Sequence, residues 1–283
     1  MKILSIQSAV AYGHVGNSAA VFPLQRIGVE VLPVHTVNFS NHTGYGAWRG
    51  SLISPDEVAD VILGIEERGI LPQIDVVLSG YQGGTGIGGV IVDAVKRVKE
   101  ANPSAIYACD PVMGNAKSGC FVAPEIPDLL RDRVVPVADL ITPNQFELGY
   151  LTGTEPLTLP DTLDSVDLAR AMGPSTVLVT SVEQPDREEG TIEMLAVDDE
   201  GAWILRTPHL PFKANGSGDV TAALFSGHYR ETGSAAVALE RTASSVFDLI
   251  ELTYKSGQRE LQLIEAQEFY AHPRLQFTAN RVR

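Results

Sequence analysis

Hydrophobic and polar positions fall in short blocks along the chain, and their period switches repeatedly between that of a strand and that of a helix. The runs KILSIQS (2–8), VEVLPVHTV (29–37), DVVLSG (75–80), AIYACDP (105–111), DLITPN (139–144) and TVLVTS (176–181) read as strands. Amphipathic stretches, Asp56 to Arg68 and Val90 to Ala101, separate several of them. Alternating elements of this length predict an α/β fold, a mainly parallel sheet with helices on both faces. After residue 185 the rhythm changes: TIEMLAVDDEGAWILRTP carries two strands around Asp199-Glu200-Gly201, a hairpin that adds antiparallel strands at one edge. Two long helices are expected to follow, from about Asp219 and about Ser234. No linker, charge block or internal repeat breaks the pattern, so a single domain over 1–283 is expected.

With 44% hydrophobic and 20% charged residues the chain is globular. A net charge of −14 excludes a nucleic-acid binder or a surface that docks on anionic lipid, both of which need basic patches. A small anionic ligand stays open, because local amide dipoles and a bound cation override the global sign. Cys109 and Cys120 have neither the number nor the spacing of a zinc site or a disulfide framework, which points to a reducing compartment. Ser5, Gln7 and Ser8 interrupt the apolar start, which suits a first strand rather than a secretion signal. No run approaches the roughly 18 to 20 apolar residues of a membrane span.

In open parallel sheets, ligands bind at the carboxyl ends of the strands. Ser8, Gly80-Tyr81, Asp110, Thr142 to Glu147, Thr180-Ser181 and Gly216 to Asp219 all fall there or at a helix start, and so share one rim. Gly84 to Gly89, GTGIGG, formally matches the dinucleotide fingerprint. At least two strands precede it, however, whereas the fingerprint belongs in the first βαβ unit. A Walker A loop is absent.

ANGSGDV, Ala214 to Val220, offers a phosphate cradle. The glycines allow backbone N–H groups to turn inward, the following helix adds its positive end, and Asp219 stands where an attacking alcohol must lose its proton. The plainer reading of Asp219 is a helix cap. In ITPNQFE, Asn144 and Glu147 lie three apart, on one face of a helix starting after Pro143. A carboxylate and an amide oxygen are hard ligands suited to Mg²⁺ beside nucleotide phosphates, but the same spacing makes a capping box. Asp110 in CDPVMG adds a strand-end acid able to orient phosphate or metal, or simply to sit in a solvated turn.

Taken in order, these segments resemble the pyridoxal kinases of the ribokinase-like superfamily over nearly the whole chain. LSIQSAVAYGHVGN through SNHTGYG matches the family's N-terminal third, and SGY, CDPVMG, ITPNQFE, VTS and GSGD follow at family spacing. SNHTGYG with SGY is the specific part; GSGD and N-x-x-E are shared across the superfamily. The resemblance implies a three-layer α/β/α fold and transfer of the ATP γ-phosphoryl group to the 5′-hydroxyl of pyridoxal. In that scheme Asp219 is the general base, and the amides of Gly216, Ser217 and Gly218 form the anion hole. Ser8, His42, Thr43, Gly44 and Tyr81 line the vitamin pocket. Asp110, Thr142, Asn144, Glu147, Thr180 and Ser181 surround the phosphates, with Mg²⁺ near Asp110 and Glu147, and Thr207, Pro208, His209 and Leu210 lie near the adenine. Met113 to Glu125 matches a flap over ATP, on which Lys117 reads as solvated and Cys120 as a small buried apolar residue. A homodimer, a cytoplasmic location and a role for a monovalent cation belong to the same expectation. A hydroxymethylpyrimidine kinase, or a pyridoxal phosphate carrier without turnover, are the alternatives.

Overall fold

The computed structural model describes residues 1–185, 187–212 and 214–283. Its spine is a sheet built from β1 (Lys2–Val10), β2 (Glu30–Phe39), β3 (Gly50–Leu52), β4 (Val76–Ser79), β5 (Ile106–Cys109), β8 (Leu140–Ile141), β9 (Thr176–Val182), β10 (Thr191–Val197), β11 (Ala202–Pro208) and β12 (Asn280–Arg281). Two further short strands, β6 (Gly114–Asn115) and β7 (Gly119–Cys120), pair only with each other. Across the ten-stranded sheet the order is β12-β11-β10-β9-β8-β5-β4-β1-β2-β3. The strands from β9 to β2 run parallel. Antiparallel strands close both edges: β3 on one side, and the β10–β11 hairpin with β12 on the other. All six sequence blocks expected as strands form strands. DLITPN contributes only Leu140–Ile141, since Pro143 has no N–H for the ladder.

The helices are α1 (Asn17–Arg26), α2 (Pro55–Glu67), α3 (Ile87–Ala101), α4 (Ile126–Leu129), α5 (Gln145–Thr152), α6 (Leu159–Ala171), α7 (Ser217–Thr232), α8 (Ala235–Ser256) and α9 (Gln267–Ala271). Side chains alternate across the sheet and build one core on each face. Tyr107, Cys109, Val177 and Val179 pack with α2, α3, α5 and α6. Ala108 and Leu178 point the other way, against α1, α7 and α8. Burial of each such aliphatic side chain contributes about 1.5 to 3 kcal/mol, so the strand positions are fixed from both sides. Local signals start the helices: Ser54 and Glu57 form a capping box at α2 with Pro55 in its first turn, and Ser234 caps α8. No helix among the described residues is long and apolar enough to cross a membrane.

Candidate active site

Ser8 belongs to β1, but the register with β2 slips between Gln7 and Ala9, so Ser8 stands at an irregularity of the ladder. Such a slip re-aims a side chain. Ser8 faces a cavity of about 710 Å³ at the carboxyl ends of the parallel strands. His42, Thr43, Gly44 and Tyr81 line the same end of the rim. Here the chain makes a short turn, Thr43–Tyr45, started by His42, whose Nδ1 accepts from the Gly44 amide at 3.0 Å. Between these polar groups lie Val10, Val15, Val37 and Phe39, an apolar cluster against Tyr81. The combination suits a flat, mostly apolar ring with a few polar substituents.

The other end of the cavity is the start of α7. Gly216 holds φ +87°, and a Cβ there would stand 1.8 Å from the His14 carbonyl oxygen, so no other residue fits. No side chain caps the helix, and the Ser217 hydroxyl turns away to the Ala214 carbonyl at 3.1 Å. The Ser217 and Gly218 amides at the start of α7 therefore face an anion-binding position. Asp219 is not the cap of α7 but sits inside its first turn, where its carboxylate accepts from the Gly16 amide and from its own. Burial pushes its pKa up to about 6, against those two bonds.

Glu147 and Asn144 form the capping box of α5, and both also line the cavity. One Glu147 oxygen accepts from the Met113 and Gly114 amides at 3.0 and 3.3 Å, the other from Asn144 at 2.9 Å. Burial nevertheless raises its pKa to about 7. Asp110, buried at the end of β5, is raised well above its ordinary value, first by burial and then by the charges of Glu147 and Asp219, with Thr142 opposing. Three buried carboxylates, two of whose charges also raise the third, describe a cavity short of positive charge. Among the described residues no group of three or more His, Cys, Asp or Glu forms a ligand set. The Asp110 and Glu147 carboxylates are hard oxygen donors of the kind that Mg²⁺ takes when it accompanies nucleotide phosphates.

The β6–β7 ribbon overhangs this end, with Gly114, Asn115, Ser118 and Phe121 in the wall; Lys117, at its tip, is exposed. Cys120 corrects an expectation: it is exposed rather than buried, because a lone two-stranded ribbon has no interior. Thr142 and Thr180 line the cavity, but Ser181, Thr207, Pro208, His209 and Leu210 do not. Ser181 is exposed with φ +53°, and residues 207 to 210 lie at the end of β11, where the His209 amide donates to the Gly190 carbonyl. Gly84 to Gly89 lead into α3 away from the cavity, with Gly86 packed on Pro55. The apolar cluster and Arg259 also line the cavity, though the sequence reading singled out none of them as site residues.

The sequence profile of the family described as phosphomethylpyrimidine kinase matches residues 62–263. A pyridoxal kinase of Leifsonia xyli subsp. xyli is 78% identical over 282 residues, covering 100% of both chains. One of Corynebacterium diphtheriae is 66% identical over the same span and coverage. Among solved structures, the pyridoxal kinase of Leishmania donovani in complex with ADP and pyridoxine superposes with a TM-score of 0.93 at 27% identity, covering 100% of this chain and 99% of that one.

Proposed function

The chain belongs to the pyridoxal kinases of the ribokinase-like superfamily, and from that premise we propose how its single domain transfers the γ-phosphoryl group of ATP to the 5′-hydroxyl of pyridoxal. The observation that carries the reading is the position of Asp219: at the open start of α7, in the same cavity as Ser8, His42, Thr43 and Tyr81. The apolar wall takes the pyridine ring, and Ser8 and Thr43 meet its polar substituents. That leaves the 5′-hydroxyl directed at Asp219. A carboxylate with pKa about 6 is ionised at neutral pH yet basic enough to accept the hydroxyl proton as the new P–O bond forms. The amides of Gly216, Ser217 and Gly218 then hold the charge that spreads over the transferred oxygens. Asp110 and Glu147 would hold Mg²⁺ through phosphate and water; when bound, it neutralises phosphate charge. Thr142, Asn144 and Thr180 flank the phosphates. Ser181 and residues 207 to 210 extend the nucleotide path beyond the cavity wall. The reading includes a homodimer in the cytoplasm, as the family resemblance implies.

Hydroxymethylpyrimidine kinase chemistry is the second reading, favoured by the profile over residues 62–263. That span covers Asp110, Glu147 and Asp219 but starts after the 40–46 segment at the vitamin end, where the full-length pyridoxal kinase matches continue. The test is initial-rate formation of pyridoxal 5′-phosphate with ATP and Mg²⁺, run in parallel on pyridoxal, pyridoxine and hydroxymethylpyrimidine. Turnover on pyridoxal that is abolished by chelation supports the reading. Turnover on hydroxymethylpyrimidine alone transfers the assignment to the second reading, and tight pyridoxal phosphate binding without turnover makes the chain a carrier.

A further inference from the structure

Three segments far apart in sequence meet at the vitamin end of the cavity: the loop after β1, the turn around Thr43–Tyr45, and the stretch following α8. Glu260 joins them. One of its oxygens accepts from the Tyr45 hydroxyl at 2.5 Å, the other from the His14 amide at 3.1 Å. Its neighbour Arg259 lies over the Tyr45 ring, 3.7 Å from the centroid, and donates to the Gly44 carbonyl at 3.4 Å. Gly13 allows the approach, since a Cβ there would stand 2.4 Å from the Glu260 carboxylate.

The pair is anchored from below. Leu261 is buried in the cluster that also holds Ala214 and Val220, the residues on either side of the phosphate cradle. The loop that Glu260 grips carries His14, whose carbonyl packs on Gly216, and Gly16, whose amide bonds Asp219. The grip on Tyr45 therefore continues through residues 13 to 16 to the general base.

We propose that Glu260, with Arg259, is a positioning residue: a clasp that fastens the 42–46 turn over the vitamin and ties its closure to the loop that orients Asp219. This rests on the pyridoxal kinase reading. Tyr45 keeps its proton throughout the working range, because the bond to Glu260 pushes its pKa up to about 12. The clasp is therefore always armed from the Tyr45 side.

The test compares Tyr45→Phe, Glu260→Ala, Glu260→Gln and the Tyr45→Phe/Glu260→Ala double variant, all in the full chain. Tyr45→Phe removes one hydroxyl from a half-buried ring and leaves the core untouched, so it carries the test even if Glu260→Ala folds poorly. The expected result is a rise of about tenfold in KM for pyridoxal, as for loss of a hydrogen bond to a charged acceptor, with KM for ATP within about twofold. Glu260→Ala also lowers kcat, Glu260→Gln recovers part of both, and the double variant is no worse than Glu260→Ala alone. Deuterium uptake at residues 42–46 is faster in Tyr45→Phe and Glu260→Ala than in wild type. Unchanged pyridoxal KM, equal rises in both KM values, or unchanged uptake at 42–46 overturns the clasp. A wild-type chain inactive on pyridoxal defeats the functional reading instead, and the exchange rates still decide the clasp.

Discussion

Asn144 and Glu147 cap each other: the Glu147 amide donates to Asn144 Oδ1 and the Asn144 amide to a Glu147 carboxylate oxygen, both at 2.9 Å. The same carboxylate takes the Met113 and Gly114 amides, so it fastens the root of the overhanging ribbon to α5. A structural role and the proposed role beside the metal therefore share one side chain. Replacing it in two ways separates them. Glu147→Ala strands three amides and is expected to lower stability by about 3 kcal/mol. Glu147→Gln keeps an acceptor but not the charge, and is expected to fold with a smaller loss while needing a higher Mg²⁺ concentration for half-maximal rate. Urea unfolding and a Mg²⁺ titration of the initial rate measure the two effects.

Asp219→Ala removes the proposed proton acceptor and leaves the amides of α7 in place. The expected result is a kcat lower by about 10² to 10⁴-fold, the usual range for a positioned general base, with ATP affinity nearly unchanged by calorimetry. Wild-type turnover in this variant would remove Asp219 from the mechanism.

Gly216 and Gly218 both belong to the cradle, yet their substitutions should fail differently. Alanine at 216 meets the His14 carbonyl at 1.8 Å in a backbone region hostile to side chains, whereas alanine at 218 meets nothing within 4 Å. Gly216→Ala is expected to unfold at lower denaturant, by roughly 1 to 3 kcal/mol, and to lose activity. Gly218→Ala is expected to keep at least the wild-type midpoint and show only a raised KM for ATP, because a methyl group there meets no protein atom but takes up space beside the cradle. Matched denaturation curves and ATP kinetics distinguish them.

The parallel strands, the hairpin at the edge and the two long C-terminal helices were legible because the strands and α8 carry clear apolar patterns, α7 carries an unbroken small and apolar run, and Gly or Pro marks the turns. α6 was not, since Thr162 and Ser165 supply half of its buried side, and a pattern search scores these residues as polar. The motif residues Asp110, Asn144, Glu147 and Asp219 sit in short segments at strand ends, where topology alone collects them. Val10, Val15, Val37 and Phe39 escaped because an apolar residue in a strand looks the same whether it faces a core or a ligand. Arg259 and Glu260 escaped for another reason: they follow α8, far along the chain from the rim they complete, and no local pattern records a contact made by tertiary folding.

The carboxylate cluster sets a pH dependence of stability for the ligand-free protein. Asp219 is raised from 3.8 to about 6 and Glu147 from 4.5 to about 7, burial being the first cause of each, and Asp110 is raised as well. Between the unfolded and folded values the native state binds more protons than the unfolded chain, so stability falls as pH rises. His228, lowered to about 4 by burial, acts in the opposite sense below its ordinary 6.5, where the unfolded chain takes the proton first. The carboxylate effect is therefore cleanest from pH 6.5 to 8. Over that window Tm is expected to drop by a few degrees, and Glu147→Gln to lose part of the slope. Mg²⁺ with ADP should flatten it, by supplying the positive charge the three acids lack. A flat Tm between pH 6.5 and 8 without ligand, or an unchanged slope in Glu147→Gln, would mean that the acids are already compensated in the empty site.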